Sequence, residues 1–202
     1  IIRTIYAQPC GRAGFVSDAI SYVRELESRY KVPPKLVPFG QELEPETHAV
    51  ALTNMMIQGF ETKNIKLGST LGNDQLSDKR FHYQLSNPPF GKKWEKDASV
   101  VNAEHKDKKL AGRFGAGLPR ISDGSMLFLL NLVSKLERVE NGGGRGAIVL
   151  SGSPLFNGGA GSGESEIRRW LLQNDYVDAI VALPTESVFR TGIGTYIWLL
   201  TN

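Results

Sequence analysis

Apolar positions change period several times along this chain, and each change marks an element. Residues 1–6, IIRTIY, are a β-branched run that predicts a strand. In residues 14–30, Phe15, Ala19, Ile20, Val23, Leu26 and Tyr30 recur at spacings of three and four, one stripe of an amphipathic helix that Pro33-Pro34 breaks. Residues 35–40 predict a second strand. Residues 45–59 predict a second helix, with Pro45 in its first turn and Gly59 at its end. Short strands are expected at 64–68 and 81–86. Residues 91–122 are polar and without a clear period, which predicts a long, mobile loop. An apolar helix follows from Asp123, a candidate N-cap, and runs to about residue 140. Residues 141–146 read as a turn and 147–151 as a strand apolar enough to be buried on both faces. After a glycine-rich loop at 157–163 come a helix over 164–175 and strands over 176–184 and 194–202.

Strands alternating with helices imply an α/β domain with a mostly parallel, twisted sheet covered on both faces. The last two strands have no helix between them, so an antiparallel pair is expected at the C-terminal edge. A length of 202 residues suits one domain spanning 1–202. The chain opens on a strand-like run and ends inside another, so the expectation is a piece of a longer protein. The longest apolar run, MLFLLNLV at 126–133, is far short of the roughly 20 residues that cross a bilayer, and no membrane is expected. Cys10 is the single cysteine, which rules out an internal disulfide and points to a reducing cytoplasm. The net charge of +3 is compatible with nucleic acid without arguing for it. No His/Cys cluster suggests a metal site; His48 and His105 read as surface or capping residues.

In sheets of this kind, ligands sit beyond the carboxyl ends of the strands. Four loops leave strands there. The first, AQPCGRAGF at 7–15, is a glycine-bearing turn: Gly11 and Gly14 serve either turn geometry or close approach of backbone to a ligand. In the second, Glu42, with Glu44 as its rival, is placed to accept both hydroxyls of an adenosine ribose, or simply stands before a helix N-terminus. The third, LGSTLGND at 67–74, lines an adenine pocket or is a plain loop. The fourth, SNPPFGKKW at 86–94, is the most specific. Asn-Pro alone favours a structural corner, and two prolines stiffen it. That does not account for an amide directly before the prolines and an aromatic ring directly after them.

The fourth loop resembles the catalytic motif of amino-methylating DNA methyltransferases: Asn, Asp or Ser, then Pro-Pro, then an aromatic residue. More closely, the chain resembles the modification (M) subunit of type I restriction–modification systems. The shared stretches, in order, are GQE (40–42), GSTL (68–71), NPPFG (87–91), GRGAIVLSGSPLFNGG (144–159), IRRWLL (167–172) and VDAIVALPTESVFRTGI (177–193). The resemblance implies a Rossmann-like S-adenosylmethionine-dependent methyltransferase fold and transfer of a methyl group to the N6 amino group of adenine. It implies S-adenosylmethionine as cofactor, held by Pro9, Cys10, Gly11, Gly14, Phe15, Glu42, Ser69, Thr70, Leu71 and Asn87. It implies catalysis by Asn87, Pro88, Pro89 and Phe90, without a metal. Double-stranded DNA and the specificity (S) and restriction (R) subunits are the implied partners. The first motif departs from the family's: its acid is replaced by Ala7 or Gln8, depending on alignment, its middle glycine by Ala13, and the acid of the third loop by Ser69. Two alternatives stand beside this reading. One is a degenerate module that keeps the fold and binds DNA or partner subunits. The other is an N-methyltransferase acting on protein glutamine or on RNA, which shares the corner. The lysines of 91–122, with Arg113, read either as a solvated run or as a flap that touches DNA phosphates. Trp94 and Trp170 read as packing residues.

Overall fold

The computed structural model describes residues 2–26, 35–184 and 192–202. The expected helix end at 27–30, the Pro33-Pro34 break and the motif stretch 185–191 lie outside the described residues. Seven strands form one sheet in the order β3-β2-β1-β4-β5-β7-β6. They are β1 (Ile2–Ala7), β2 (Lys35–Glu42), β3 (Ile65–Leu67), β4 (Tyr83–Ser86), β5 (Arg145–Ser151), β6 (Val177–Ala182) and β7 (Thr195–Thr201). The first five are mutually parallel, and β7 runs antiparallel to both of its neighbours, β5 and β6. The expected antiparallel pair therefore closes one edge, with the C-terminal strand inserted second from that edge.

Helices α1 (Gly14–Leu26) and α2 (Pro45–Ile57) cover part of the sheet. Ile5 and Ala7 of β1 pack with Val16 and Ile20 of α1 and Ala51 and Met55 of α2. The alternation of a strand sends Tyr6, between them, to the opposite face, where its ring stacks on Phe81 at 4.5 Å. A larger core lies around α4 (Ser125–Ser134) and α6 (Gly163–Gln173), joined by Ile148 and Leu150 of β5 and Trp198 and Leu200 of β7. Helix α4 is buried over almost its whole length, as its unbroken apolar run requires. It is shorter than the sequence suggests and ends at Ser134. Asp123 does not occupy the N-cap, which is Gly124; its carboxylate accepts from the Ser125 backbone N–H at 3.0 Å instead. A short helix, α5 (Ser153–Phe156), follows β5.

The stretch 91–122 is not one long loop. A 3₁₀ turn at Glu95–Asp97 leads into α3 (Ala98–Lys108), and a second 3₁₀ turn follows at Lys109–Ala111. Trp94, Val101 and Phe114 from this stretch enter the larger core. The helix escapes detection because Val101 is its single buried residue, so no apolar stripe marks it. Lysines in its last turn suit the negative end of the helix dipole. No helix among the described residues is long and apolar enough to cross a membrane.

Candidate active site

Register brings the four carboxyl-end loops side by side. Ala7 pairs with Gly40 on one side and Leu85 on the other, and Glu42 pairs with Leu67. The turn after β1 thus lies between Glu42 and the corner after β4. A cavity of about 220 Å³ opens across these loops. Pro9, Glu42, Ser69, Thr70, Leu71 and Pro89 of the sequence-predicted residues line it, and Glu44 lies in the same wall. Cys10, Gly11, Gly14, Phe15, Asn87, Pro88 and Phe90 do not line it, although Pro9 and Pro89, which do, adjoin Cys10, Pro88 and Phe90 in the chain.

Glu42 is buried and tightly held. One carboxylate oxygen accepts from the Gly11 backbone N–H at 2.9 Å; the other accepts from the Leu43 and Glu44 N–H groups at 2.9 and 3.0 Å. The first oxygen keeps a lone pair free. Gly11 has φ +53°, which favours glycine, and a side chain at Gly11 or Gly14 would meet nothing within 4 Å. The backbone there is an open cradle. Cys10 points away from it into the smaller core, against Gly40. Burial first, and the Glu42 charge second, push its thiol up to about 12, so the side chain stays neutral. Ala13 holds φ +65° at the place of the family's glycine, with its methyl buried.

The Ser69 hydroxyl accepts from the Leu71 and Gly72 N–H groups at 3.3 and 3.1 Å, folding its own loop. Gln8, one of the two residues at the missing acid, is completely buried and faces α4 rather than the cavity. Its amide donates to the Phe128 carbonyl at 2.9 Å and accepts from the Asn131 amide. Its backbone carbonyl accepts from the Ser86 hydroxyl, one residue before the corner. Ala7, the other candidate, is buried in the core.

At the corner itself, Asn87 is exposed, Pro88 buried, Pro89 exposed and Phe90 half-buried. Neither the Asn87 side chain nor the Pro88 carbonyl hydrogen-bonds to a described residue. Gly91 takes φ +58°, the left-handed turn that lets the chain double back after the ring. The chain is then anchored: Gly124 N–H donates to the Lys92 carbonyl at 2.9 Å, and the Trp94 indole donates to the Arg120 carbonyl at 2.9 Å.

Sequence reasoning missed part of the wall. Lys92, Lys93, Trp94, Asp97 and Phe128 also line the cavity. Lysines directly after the corner and a ring in an otherwise polar stretch were the available hints. Trp94 both packs in the core and lines the cavity, and Trp170 packs against the core and Tyr176. The phosphate reading of Arg113 does not hold, because its side chain is largely covered and all its donors are bonded within the protein, whereas Lys92, Lys93 and Lys96 are exposed. His48 and His105 contact the carbonyls of Ile65 and Phe114 at 3.0 and 2.7 Å, fastening local structure. Among the described residues no cluster of three potential ligands could hold a metal ion.

A sheet in this order, with its cavity across the carboxyl ends, defines the class: a Rossmann-like methyltransferase fold of the S-adenosylmethionine-dependent type. The type I restriction-modification system methyltransferase subunit from Streptococcus thermophilus shares it, with a TM-score of 0.79 and 29% identity, covering 98% of this chain and 39% of that one. Within the class, the chain belongs to the N-6 DNA methylase family, whose model matches residues 2–202. It is 27% identical to the type I restriction enzyme EcoKI methylase subunit of Escherichia coli K12, over 99% of this chain and 36% of that protein. It is 25% identical to the type I restriction enzyme MjaIX methylase subunit of Methanocaldococcus jannaschii, over 98% of this chain and 33% of that protein. The chain thus spans about a third of the length of these curated relatives.

Proposed function

We propose that the full-length protein transfers a methyl group from S-adenosylmethionine to the N6 amino group of adenine in double-stranded DNA, as the modification subunit of a type I restriction–modification system. In this reading it works in the cytoplasm with a specificity subunit that reads sequence and a restriction subunit. One observation carries the reading: an exposed, unengaged Asn87 beside the Pro88 carbonyl, at a strand's carboxyl end, next to a cavity shared with the first turn and Glu42.

The residues present fit the nucleoside half of the cofactor. Leu71 and Phe128 offer apolar walls for adenine, and Glu42 and Glu44 offer acceptors for ribose hydroxyls. The open backbone at Gly11 and Gly14 leaves room for a close approach. When bound, S-adenosylmethionine supplies an electrophilic methyl group on sulfur. The chain supplies the rest. An adenine amino group is a poor nucleophile because its lone pair is delocalised into the ring. The Asn87 oxygen and the Pro88 carbonyl, accepting its two N–H bonds, draw that lone pair out of conjugation and localise it on nitrogen, which sheds one of the two protons once the methyl is in place. The prolines fix the direction of the acceptors in advance, so no reorganisation is needed at the moment of reaction. Phe90 gives a flipped base a surface to stack on, offsetting a few kcal/mol of unstacking. Exposed Lys92, Lys93 and Lys96 after the corner suit phosphates, which position a duplex without reading it.

The test is transfer of labelled methyl from S-adenosylmethionine to adenine-containing duplex, with the partner subunits present, against glutamine-bearing protein and RNA substrates. Label in N6-methyladenine is expected; label in protein or RNA alone would overturn the assignment. A second reading, a scaffold that binds cofactor poorly, is favoured by one observation: Gln8 and Ala7 both turn away from the cavity, so no acid meets the cofactor's amino-acid end there. Calorimetry on the folded full-length protein separates the two, since the scaffold reading requires no heat of binding.

A further inference from the structure

Arg113 sits in the stretch that looked like a solvated charge run, yet all five of its guanidinium N–H bonds are used. Nε donates to both Glu104 oxygens at 3.1 Å, and one terminal nitrogen donates to Glu104 at 2.7 Å. The same nitrogen donates to the Leu71 carbonyl at 3.0 Å. The other donates to the Thr70 carbonyl at 2.8 Å and to the Asn131 side-chain oxygen at 3.1 Å. Asp74, past the same loop, adds an ion-pair contact at 3.7 Å. The side chain is 14% exposed, and its guanidinium lies 4.5 Å from the centre of the Phe114 ring.

Two of these partners matter for function. Thr70 and Leu71 line the cavity, and a loop of this composition has no regular ladder to hold its carbonyls. We infer that Arg113 is a positioning residue for cofactor binding: held by Glu104 of α3, it grips two consecutive carbonyls of the loop that forms the adenine-facing wall. A planar fork of five donors can reach two carbonyls and an amide oxygen while keeping its pair with Glu104; a lysine's three donors radiate from one nitrogen and cannot hold all of these together. The grip extends beyond the wall, because Asn131 also bonds Gln8, whose carbonyl takes the Ser86 hydroxyl beside Asn87.

This inference rests on the cofactor reading above, and the experiment keeps the two apart. S-adenosylmethionine binding to the full-length protein is measured by calorimetry for the wild type, Arg113→Lys and Glu104→Gln, with steady-state methyl transfer alongside. Arg113→Lys is expected to weaken cofactor binding about tenfold, the scale set by loosening a preorganised contact, and to raise the cofactor KM equally while leaving kcat within about threefold. Glu104→Gln, which loosens the anchor but leaves the grip, is expected to fall between the two. Ile167→Val, buried in α6 and away from the cavity, controls for lost stability and is expected to leave affinity unchanged. No wild-type binding would remove the cofactor reading, and this inference with it. Wild-type binding with Arg113→Lys within twofold of it would overturn the role of Arg113 alone, as would an equal loss in Ile167→Val. If Arg113→Lys does not fold, Glu104→Gln decides: unchanged affinity overturns the inference.

Discussion

The residue whose environment and proposed chemistry agree most directly is Asn87. Gln8 and Asn131 are buried and hydrogen-bonded to each other, and the buried Gln84 amide donates to the Leu132 carbonyl although its own oxygen has no partner among the described residues. Asn87 is exposed and holds none, so its replacement removes no native bond. Asn87→Ala is therefore expected to change stability by no more than about 0.5 kcal/mol. Methyl transfer is expected to fall about 10²–10³-fold, the cost of removing one preorganised partner from a site of this type. Turnover at saturating cofactor and DNA, with circular dichroism on the same sample, checks both halves; unimpaired turnover would take Asn87 out of the mechanism. Much of this was legible in the sequence because an amide before two prolines and a ring after them has no purely structural explanation. Gln8 was not legible in the same way. Its identity announces a missing acid, but its orientation toward α4 depends on Asn131 and Phe128, more than a hundred residues away, which no local pattern records.

At the scale of elements, helices with an apolar stripe were predictable and α3 was not. Alpha1 and α6 bury one face and expose the other, and their spacing says so. Alpha3 is fastened instead by charge. Glu104, on the helix, accepts from the Arg113 guanidinium and from its backbone N–H at 2.8 Å, closing the segment on itself. Burial works to raise the Glu104 pKa, but the Arg113 bonds outweigh it, and the carboxyl titrates below the ordinary glutamate range. A lowered folded-state value means that the carboxylate stabilises the fold above the unfolded value. That contribution is lost as pH falls through the folded value. Glu104→Gln is thus expected to cost about 1.5–3 kcal/mol at pH 7, the range for a hydrogen bond to a charged group. The gap to the wild type is expected to narrow as pH drops below about 4.3, the ordinary glutamate value. Denaturant melts of both proteins between pH 3 and 7 check this; a gap that stays constant across the range would rule out the ion pair as the fastening.

At the scale of the whole molecule, the sheet joins two main cores, with a small third cluster of Tyr6, Leu76 and Phe81 beside them. The smaller one holds α1 and α2 against β1 to β3; the larger holds α4 and α6 against β5 and β7. The cavity is built from both sides. Pro9, Glu42 and Ser69 come from loops over the first half, whereas Lys92, Trp94 and Phe128 come from the stretch packed on the second. Alternating strand and helix patterns made the sheet predictable, because each element declares its own period. The cavity's second wall was unreadable, because it exists only once residues 92–97 fold back onto the start of α4. A ligand filling this space touches both halves and binds only when they are docked, so it stabilises the docked state by mass action. At a hundredfold excess over Kd that is about 2.7 kcal/mol. For 150–250 residues each kcal/mol moves Tm by about 2–4 °C, so a rise of roughly 5–10 °C is expected for residues 1–202 with saturating S-adenosylmethionine. The rise alone would not distinguish a bridge from attachment to one side, but hydrogen exchange does. Amides of 69–73 and of 92–97 are both expected to slow together on adding cofactor, since opening either wall releases it. Slowing confined to 69–73, with 92–97 exchanging as before, would mean that the second wall takes no part in binding and that the two halves are not coupled through this site.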